Sequence, residues 1–254
     1  YADATAPSLP VSCAEGTGTA YIAITGGTIG VNGNENGMVF GSSRGDVGAP
    51  DEIHDYLAWV YDTDVTIDGG QINGSIYGGG ENGHTFKDAK VTIHDGIIGI
   101  ASGSKITGSS GKEYEGAAYP YRGNVYGGGC GTDKYWADRT KETNKGDGDT
   151  YNPLAGIVYG NTTITMDGGT VVHNIYGAGA MGSVGQTTKD TDNHLVISDG
   201  GATTIAISGG TVGVSGTVDD GNVFGAARGD ATTTQTDEAL VKTTGVTISG
   251  TAKI

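Results

Sequence analysis

Val65-Thr66-Ile67-Asp68-Gly69-Gly70-Gln71-Ile72 is the stretch on which the fold turns, because it comes back. It returns as Ile164-Thr165-Met166-Asp167-Gly168-Gly169-Thr170-Val171 and as Ile205-Ala206-Ile207-Ser208-Gly209-Gly210-Thr211-Val212. A second phrase recurs downstream: Ser75-Ile76-Tyr77-Gly78-Gly79, Asn124-Val125-Tyr126-Gly127-Gly128, Asn174-Ile175-Tyr176-Gly177-Ala178 and Asn222-Val223-Phe224-Gly225-Ala226. A period of about 40 residues marks a repeat architecture, and that decides more than any local propensity.

Within a repeat, Val65-Thr66-Ile67 alternates apolar and polar side chains, as a half-buried strand does. Ile22-Ala23-Ile24, Val91-Thr92-Ile93, Ile164-Thr165-Met166, Ile205-Ala206-Ile207 and Val246-Thr247-Ile248 share the pattern. A glycine corner follows, which needs backbone at positive φ. Then come a second short strand, such as Gln71-Ile72, and a third that carries the aromatic, such as Ile76-Tyr77. Strands this short cannot bury a face alone and must stack on their neighbours. The expected fold is all-β: a right-handed parallel β-helix, or β-solenoid, of about six rungs. With no crossover helices between strands, Rossmann and barrel folds are excluded.

Stacking sets equivalent side chains about 4.8 Å apart. Phe40, Tyr77, Tyr126, Tyr176 and Phe224 are therefore expected to form an aromatic ladder. Asn124, Asn174 and Asn222 should form an amide ladder beside it, interrupted by Met38 and Ser75. The chain is expected to be a single body over 1–254, with a lead-in at 1–20. Insertions are placed at 43–63, 101–122, 131–160, 181–202 and 229–243. Most leave after the third strand, so they should line one edge, where loops carry function. Asp51 to Tyr61 is the one helix candidate, with Ile53, Leu57 and Val60 on one face.

Glycine supplies 49 of 254 residues, without the period of collagen. The net charge of −15 repels phosphate backbones, so a nucleic-acid partner is not expected. No apolar run is long enough to insert in a membrane as a helix. The chain opens on Tyr1 and stops at Ile254 in mid-repeat, which suggests a piece of something longer. Cys13 and Cys130 could bridge only if their Cα atoms approach within about 7 Å; two unpaired thiols are the preferred reading.

The phrases at Val65–Gly80, Gly123–Gly129, Asn161–Gly179 and Ala202–Gly225 resemble the Gly-rich Asn-Val-Tyr-Gly-Gly-Gly repeats of very large adhesin-like surface proteins of Bacteroidota and Firmicutes. The resemblance covers the repeats and not the insertions. It implies an extracellular, bacterial cell-surface or secreted protein with a structural, adhesive and non-enzymatic role. Glycans or host surface proteins would be partners, and self-assembly into fibres would be in keeping.

Candidate binding residues follow from this. Arg44-Gly45-Asp46 and Arg228-Gly229-Asp230 could offer a cation and a carboxylate to a metal-dependent receptor. They could equally fill the exit turn that Glu81-Asn82-Gly83 fills elsewhere, and that is the stronger reading. Tyr77, Tyr126 and Tyr176 could stack on sugars if they face outward, or stack inside the fold, which is preferred. Asp147, Asp149, Asp219 and Asp220 are acidic enough to suggest Ca²⁺, but no full Ca²⁺ loop surrounds them. A polysaccharide lyase or glycosidase is the enzymatic alternative, with Asp68 and Asp95, or Asp167 and Asp199, as carboxylate pairs. No catalytic residue is assigned, and the histidines have no zinc-type spacing. A phage tail fibre or spike is the remaining alternative. The threonine runs resemble ice-binding arrays, but the irregular repeat lengths argue against that.

Overall fold

The computed structural model describes residues 18–30, 37–45, 58–100, 105–107, 113–115, 122–131, 152–213, 220–229 and 237–254. In chain order the strands are β1 (Thr19–Ile29), β2 (Val39–Phe40), β3 (Trp59–Val60), β4 (Asp62–Ile72), β5 (Ile76–Tyr77), β6 (His84–Thr85), β7 (Ala89–Ile98), β8 (Lys105–Thr107), β9 (Glu113–Glu115), β10 (Val125–Tyr126), β11 (Thr162–Met166), β12 (Thr170–Val171), β13 (Ile175–Tyr176), β14 (Gln186–Lys189), β15 (Leu195–Asp199), β16 (Ala202–Ile207), β17 (Thr211–Val212), β18 (Val223–Phe224) and β19 (Thr243–Ile248).

The protein is all-β, and like strands pair with like. The first strands of the repeats form a parallel sheet in the order β1-β4-β7-β11-β16-β19, which β12 and β17 join. The aromatic strands form a second parallel sheet, β18-β13-β10-β5-β2. Three two-stranded sheets complete the set: β3 with β6, and the antiparallel pairs β8–β9 and β14–β15. This corrects the expected right-handed parallel β-helix. The strands lie in separate sheets, and none closes into a solenoid. In the two large sheets each strand pairs with strands of neighbouring repeats. Glycine corners and two-residue strands interrupt the ladder between the sheets.

Register explains why the repeat phrase is kept. Val65 lies opposite Ile22 and Val91, and Ile67 opposite Ile24 and Ile93. The columns continue through Ile164 and Met166 to Ile205 and Ile207. Val65, Ile67, Val91, Ile93, Ile164, Met166 and Ile205 have no exposed surface. Full burial of such a side chain contributes about 1.5–3 kcal/mol. The core is therefore a set of apolar columns, joined from the second sheet by Val39, Ile76, Val125 and Ile175. At the corners Gly70, Gly96, Gly169 and Gly210 all have positive φ, at 90°, 97°, 74° and 80°. A side chain there would be strained.

The glycine after each aromatic has a different cause. A Cβ on Gly78 would collide with the Gly127 carbonyl, and one on Gly127 with the Gly177 carbonyl. Those carbonyls are also used. The hydroxyl of Thr63 donates to Gly78 O at 2.6 Å and that of Thr162 to Gly177 O at 2.5 Å, while Thr203 does the same to Gly225. Threonines of the first sheet thus hold the aromatic strands of the second at hydrogen-bond distance.

The amide column is longer than expected. Asn222 N–H donates to Asn174 Oδ1 at 2.9 Å, and Asn174 N–H to Asn124 Oδ1 at 3.2 Å. Ser75 does not interrupt it, because its Oγ accepts from Asn124 N–H at 3.1 Å. Met38 Sδ in turn receives Ser75 N–H at 3.0 Å.

The helix expected over Asp51–Tyr61 does not extend through its last part. Ala58 has φ of 56° and Trp59–Val60 is a strand; residues 51–57 lie outside the described residues. Parts of the expected insertions 43–63, 131–160 and 181–202, together with His84–Thr85 from outside them, make a further parallel layer. Val60 pairs with Thr85, Thr85 bridges to Val158, and Val158 bridges to Val184.

Candidate functional site

The new layer places aromatic side chains beside one another on the flank. Trp59-Val60-Tyr61, His84-Thr85-Phe86 and Ile157-Val158-Tyr159 lie side by side with the same alternation. Backbone bonds fix the alignment: Phe86 N–H donates to Val60 O at 2.9 Å, Lys87 N–H to Tyr61 O at 2.7 Å and Tyr159 N–H to Thr85 O at 2.9 Å. Thr85 and Val158 are fully buried, whereas Trp59, Tyr61, Phe86 and Tyr159 are half-buried.

Trp59 is the centre of the group. Its ring stacks on buried His84 at 4.7 Å and 14° and meets Tyr159 edge-on at 4.9 Å and 67°. Phe86 sits 6.2 Å from Trp59, 6.0 Å from Tyr61 and 6.4 Å from Tyr159. Lys87 Nζ lies 5.5 Å from the Phe86 centroid, within cation–π range. Asp88 follows Lys87, its Oδ1 accepting from Asn161 N–H at 2.7 Å and from Nδ2 at 3.3 Å. The result is a shelf of rings with a cation beside it. Apolar C–H faces could settle on the rings while hydroxyls reach the charged and amide rim.

The sequence reading missed this shelf. Its signal is a triplet with a β-branched residue before an aromatic, shared by 59–61, 84–86 and 157–159, visible only once those segments are known to pair.

The aromatic ladder forms as expected from the sequence but is closed. Ring centroids from Phe40 through Tyr77, Tyr126 and Tyr176 to Phe224 are separated by 4.9, 4.6, 5.0 and 4.9 Å, with interplanar angles of 9–17°. Tyr77 and Tyr126 are 1% exposed and Tyr176 is 8% exposed, packed with Cys130 and Ala180. Rings covered on both faces by other rings cannot stack on a sugar. Tyr77, Tyr126 and Tyr176 therefore serve packing.

Arg44-Gly45 and Arg228-Gly229 of the two Arg-Gly-Asp segments occupy the exit-turn slot. Asn82 N–H donates to Arg44 O, Gly131 N–H to Glu81 O, Met181 N–H to Cys130 O and Gly229 N–H to Ala180 O. Arg44 and Arg228 are thus in the position that Glu81, Cys130 and Ala180 fill in the other repeats. Arg44 Nε also lies 3.4 Å from Glu81 Oε2. Asp46 and Asp230 lie outside the described residues, as does Cys13.

Asp68 and Asp95 are register partners on β4 and β7. Asp95 Oδ1 accepts from Gly96 N–H at 2.7 Å, which is turn chemistry. His94 Nδ1 lies 2.8 Å from Asp167 Oδ1, both about half exposed. Asp199 sits on the antiparallel hairpin, where its Oδ1 accepts from Gly200 N–H, and no contact joins it to Asp167. Asp220, one of the acidic residues considered for Ca²⁺, places Oδ1 3.5 Å from His173 Nε2. Asp147, Asp149 and Asp219 are outside the described residues, among which no group of three or more His, Cys, Asp or Glu could hold a metal.

No protein-family model, no curated protein and no solved structure matches this chain.

Proposed function

We propose that the chain is a structural and adhesive segment of an extracellular bacterial surface protein, and that it holds glycans on the shelf of Trp59, Tyr61, Phe86 and Tyr159. The observation that carries the reading is the contrast in burial. Tyr77 and Tyr126 are sealed, whereas the shelf rings keep part of their surface in water beside Lys87. Exposed aromatic groups are costly to leave uncovered, and a saccharide offers matching C–H faces. The resemblance of the repeats to surface adhesins points the same way. One shelf would bind weakly, and many copies on a cell would bind by avidity.

A glycan array with purified 1–254, scored for both binding and reducing-end release, tests this. Binding without release, abolished by Trp59→Ala, is the expected result. Absence of binding to any glycan, or binding indifferent to Trp59→Ala, would falsify the shelf. Release of reducing ends would favour the polysaccharide-cleaving alternative, for which the exposed His94–Asp167 pair is a supporting arrangement among the described residues. Asp167→Asn would then be inactive.

A further inference from the structure

Phe86 and Tyr159 make a row on the flank, and a hairpin ends it. Thr85 bridges to Val158, so the two rings stand at equivalent places in adjacent segments, with centroids 6.4 Å apart. Both lie well inside the described stretches 58–100 and 152–213, and both are half-buried. Val184 is the next member of the layer, so Gly185 holds the place where a further ring would stand. Ile197 of β15 takes that space: a Cβ on Gly185 would lie 2.5 Å from Ile197 Cγ2. Gly200, at the foot of the β14–β15 hairpin, packs as closely on the Tyr159 and Gly160 carbonyls. The row therefore runs along the stacking direction of the repeats and stops at the hairpin.

A cation stands beside this row. Lys87 is exposed, and its Nζ lies 5.5 Å from the Phe86 centroid. Among the described residues no carboxylate lies within ion-pair distance of it, whereas Lys90 is paired with Asp64 at 3.4 Å. The adjacent Asp88 is engaged, since its Oδ1 accepts from both the N–H and the side-chain amide of Asn161. The Lys87 ammonium thus keeps donors for a ligand. A carboxylate would receive them in a charge-assisted bond, roughly twice as strong as one to a hydroxyl. The net charge of −15 repels anions at long range, so an acidic ligand is held only where a cation meets it.

We infer that the shelf takes an acidic glycan, a chain of uronic-acid residues lying along the row. Its C–H faces rest on Phe86 and Tyr159, and one of its carboxylates accepts from Lys87 Nζ. This rests on the glycan reading of the shelf and adds the ligand class and direction. The chain follows the repeats because the rings do, and it stops at the hairpin beside Tyr159. A neutral chain of the same shape keeps the ring contacts and loses the charge-assisted bond.

The test is titration calorimetry of purified 1–254 with β-1,4-linked oligoglucuronates and oligomannuronates of increasing length. Cello- and manno-oligosaccharides of the same lengths are the neutral partners, and circular dichroism confirms that each variant is folded. The acidic series are expected to bind about tenfold more tightly than the neutral ones, with affinity rising from the monosaccharide to the disaccharide. Lys87→Gln should erase the acidic preference and leave neutral binding in place, while Lys87→Arg keeps the preference. Lys253→Gln, which removes an exposed lysine on the segment after β19, should leave the preference intact. Neutral chains that bind as tightly as acidic ones, still abolished by Trp59→Ala, overturn this inference and leave the glycan reading standing. An acidic preference that survives Lys87→Gln, or that Lys253→Gln removes as fully, also overturns it. So does an affinity indifferent to chain length. If none of the four series binds, the inference falls, and the glycan array decides the broader reading separately.

Discussion

Two sets of aromatic side chains line the same stack of repeats, and they differ in what covers them. In the ladder, Tyr77, Tyr126 and Tyr176 are parallel, about one strand spacing apart and sealed. On the flank, Trp59, Tyr61, Phe86 and Tyr159 meet at mixed angles and stay half-buried. The ladder rings are each followed by a glycine whose missing Cβ lets the next strand close over them. The flank rings are followed by Val60, Asp62, Lys87 and Gly160, and those segments lead into β4, β7 and β11. Close approach of the next strand seals the ladder rings; the flank rings keep part of their surface in water.

The sharpest way to break the ladder is at its glycines. Gly127→Ala should have the largest effect, a loss of about 3 kcal/mol or more, since the new methyl would strike the Gly177 carbonyl. Thermal unfolding measures it, and a variant as stable as wild type would sink the close-packing argument. Tyr126→Ala should cost about 3–5 kcal/mol by emptying a site between two stacked rings. Tyr126→Phe should recover most of it.

These positions were readable without coordinates, because the Tyr-Gly phrase recurs and its period is local to each repeat. The paired strands, the buried columns, the corners with positive φ and the order of the ring ladder all follow from residues repeated in sequence. What was not readable depends on partners outside the repeat. Whether sheets close is decided by corner geometry summed over the whole stack, and Val65–Ile72 contains no trace of it. Trp59–Val60 sits in a helix-like pattern, yet it becomes a strand because His84–Thr85 offers it a hydrogen-bonding edge. Ser75 looks like a break in the asparagine column, but any short side chain with an acceptor oxygen can take the neighbouring N–H.

That last point gives a prediction of middle size. Asn174→Ala removes the oxygen that receives Asn222 N–H and Nδ2. About 1–2 kcal/mol should be lost. Asn174→Ser should restore part of it, as Ser75 does naturally. Equal stability of the alanine and serine variants would mean that the column is incidental.

The flank behaves in the opposite way. Trp59 stacks on His84 and keeps part of its surface in water, so Trp59→Ala should cost about 1–2 kcal/mol of stability, less than a ladder ring. Its glycan affinity, however, should fall by about tenfold or more, because the ring supplies the central face of the shelf. Trp59→Phe should retain stability and recover only part of the binding, since the smaller ring covers less of a sugar. Titration calorimetry beside thermal unfolding separates the two effects. If Trp59→Ala and a ladder variant of matched stability lose binding equally, the loss comes from the fold and the shelf has no role of its own. If only Trp59→Ala loses it, then covering one aromatic column and leaving the other open is how this chain divides support from recognition.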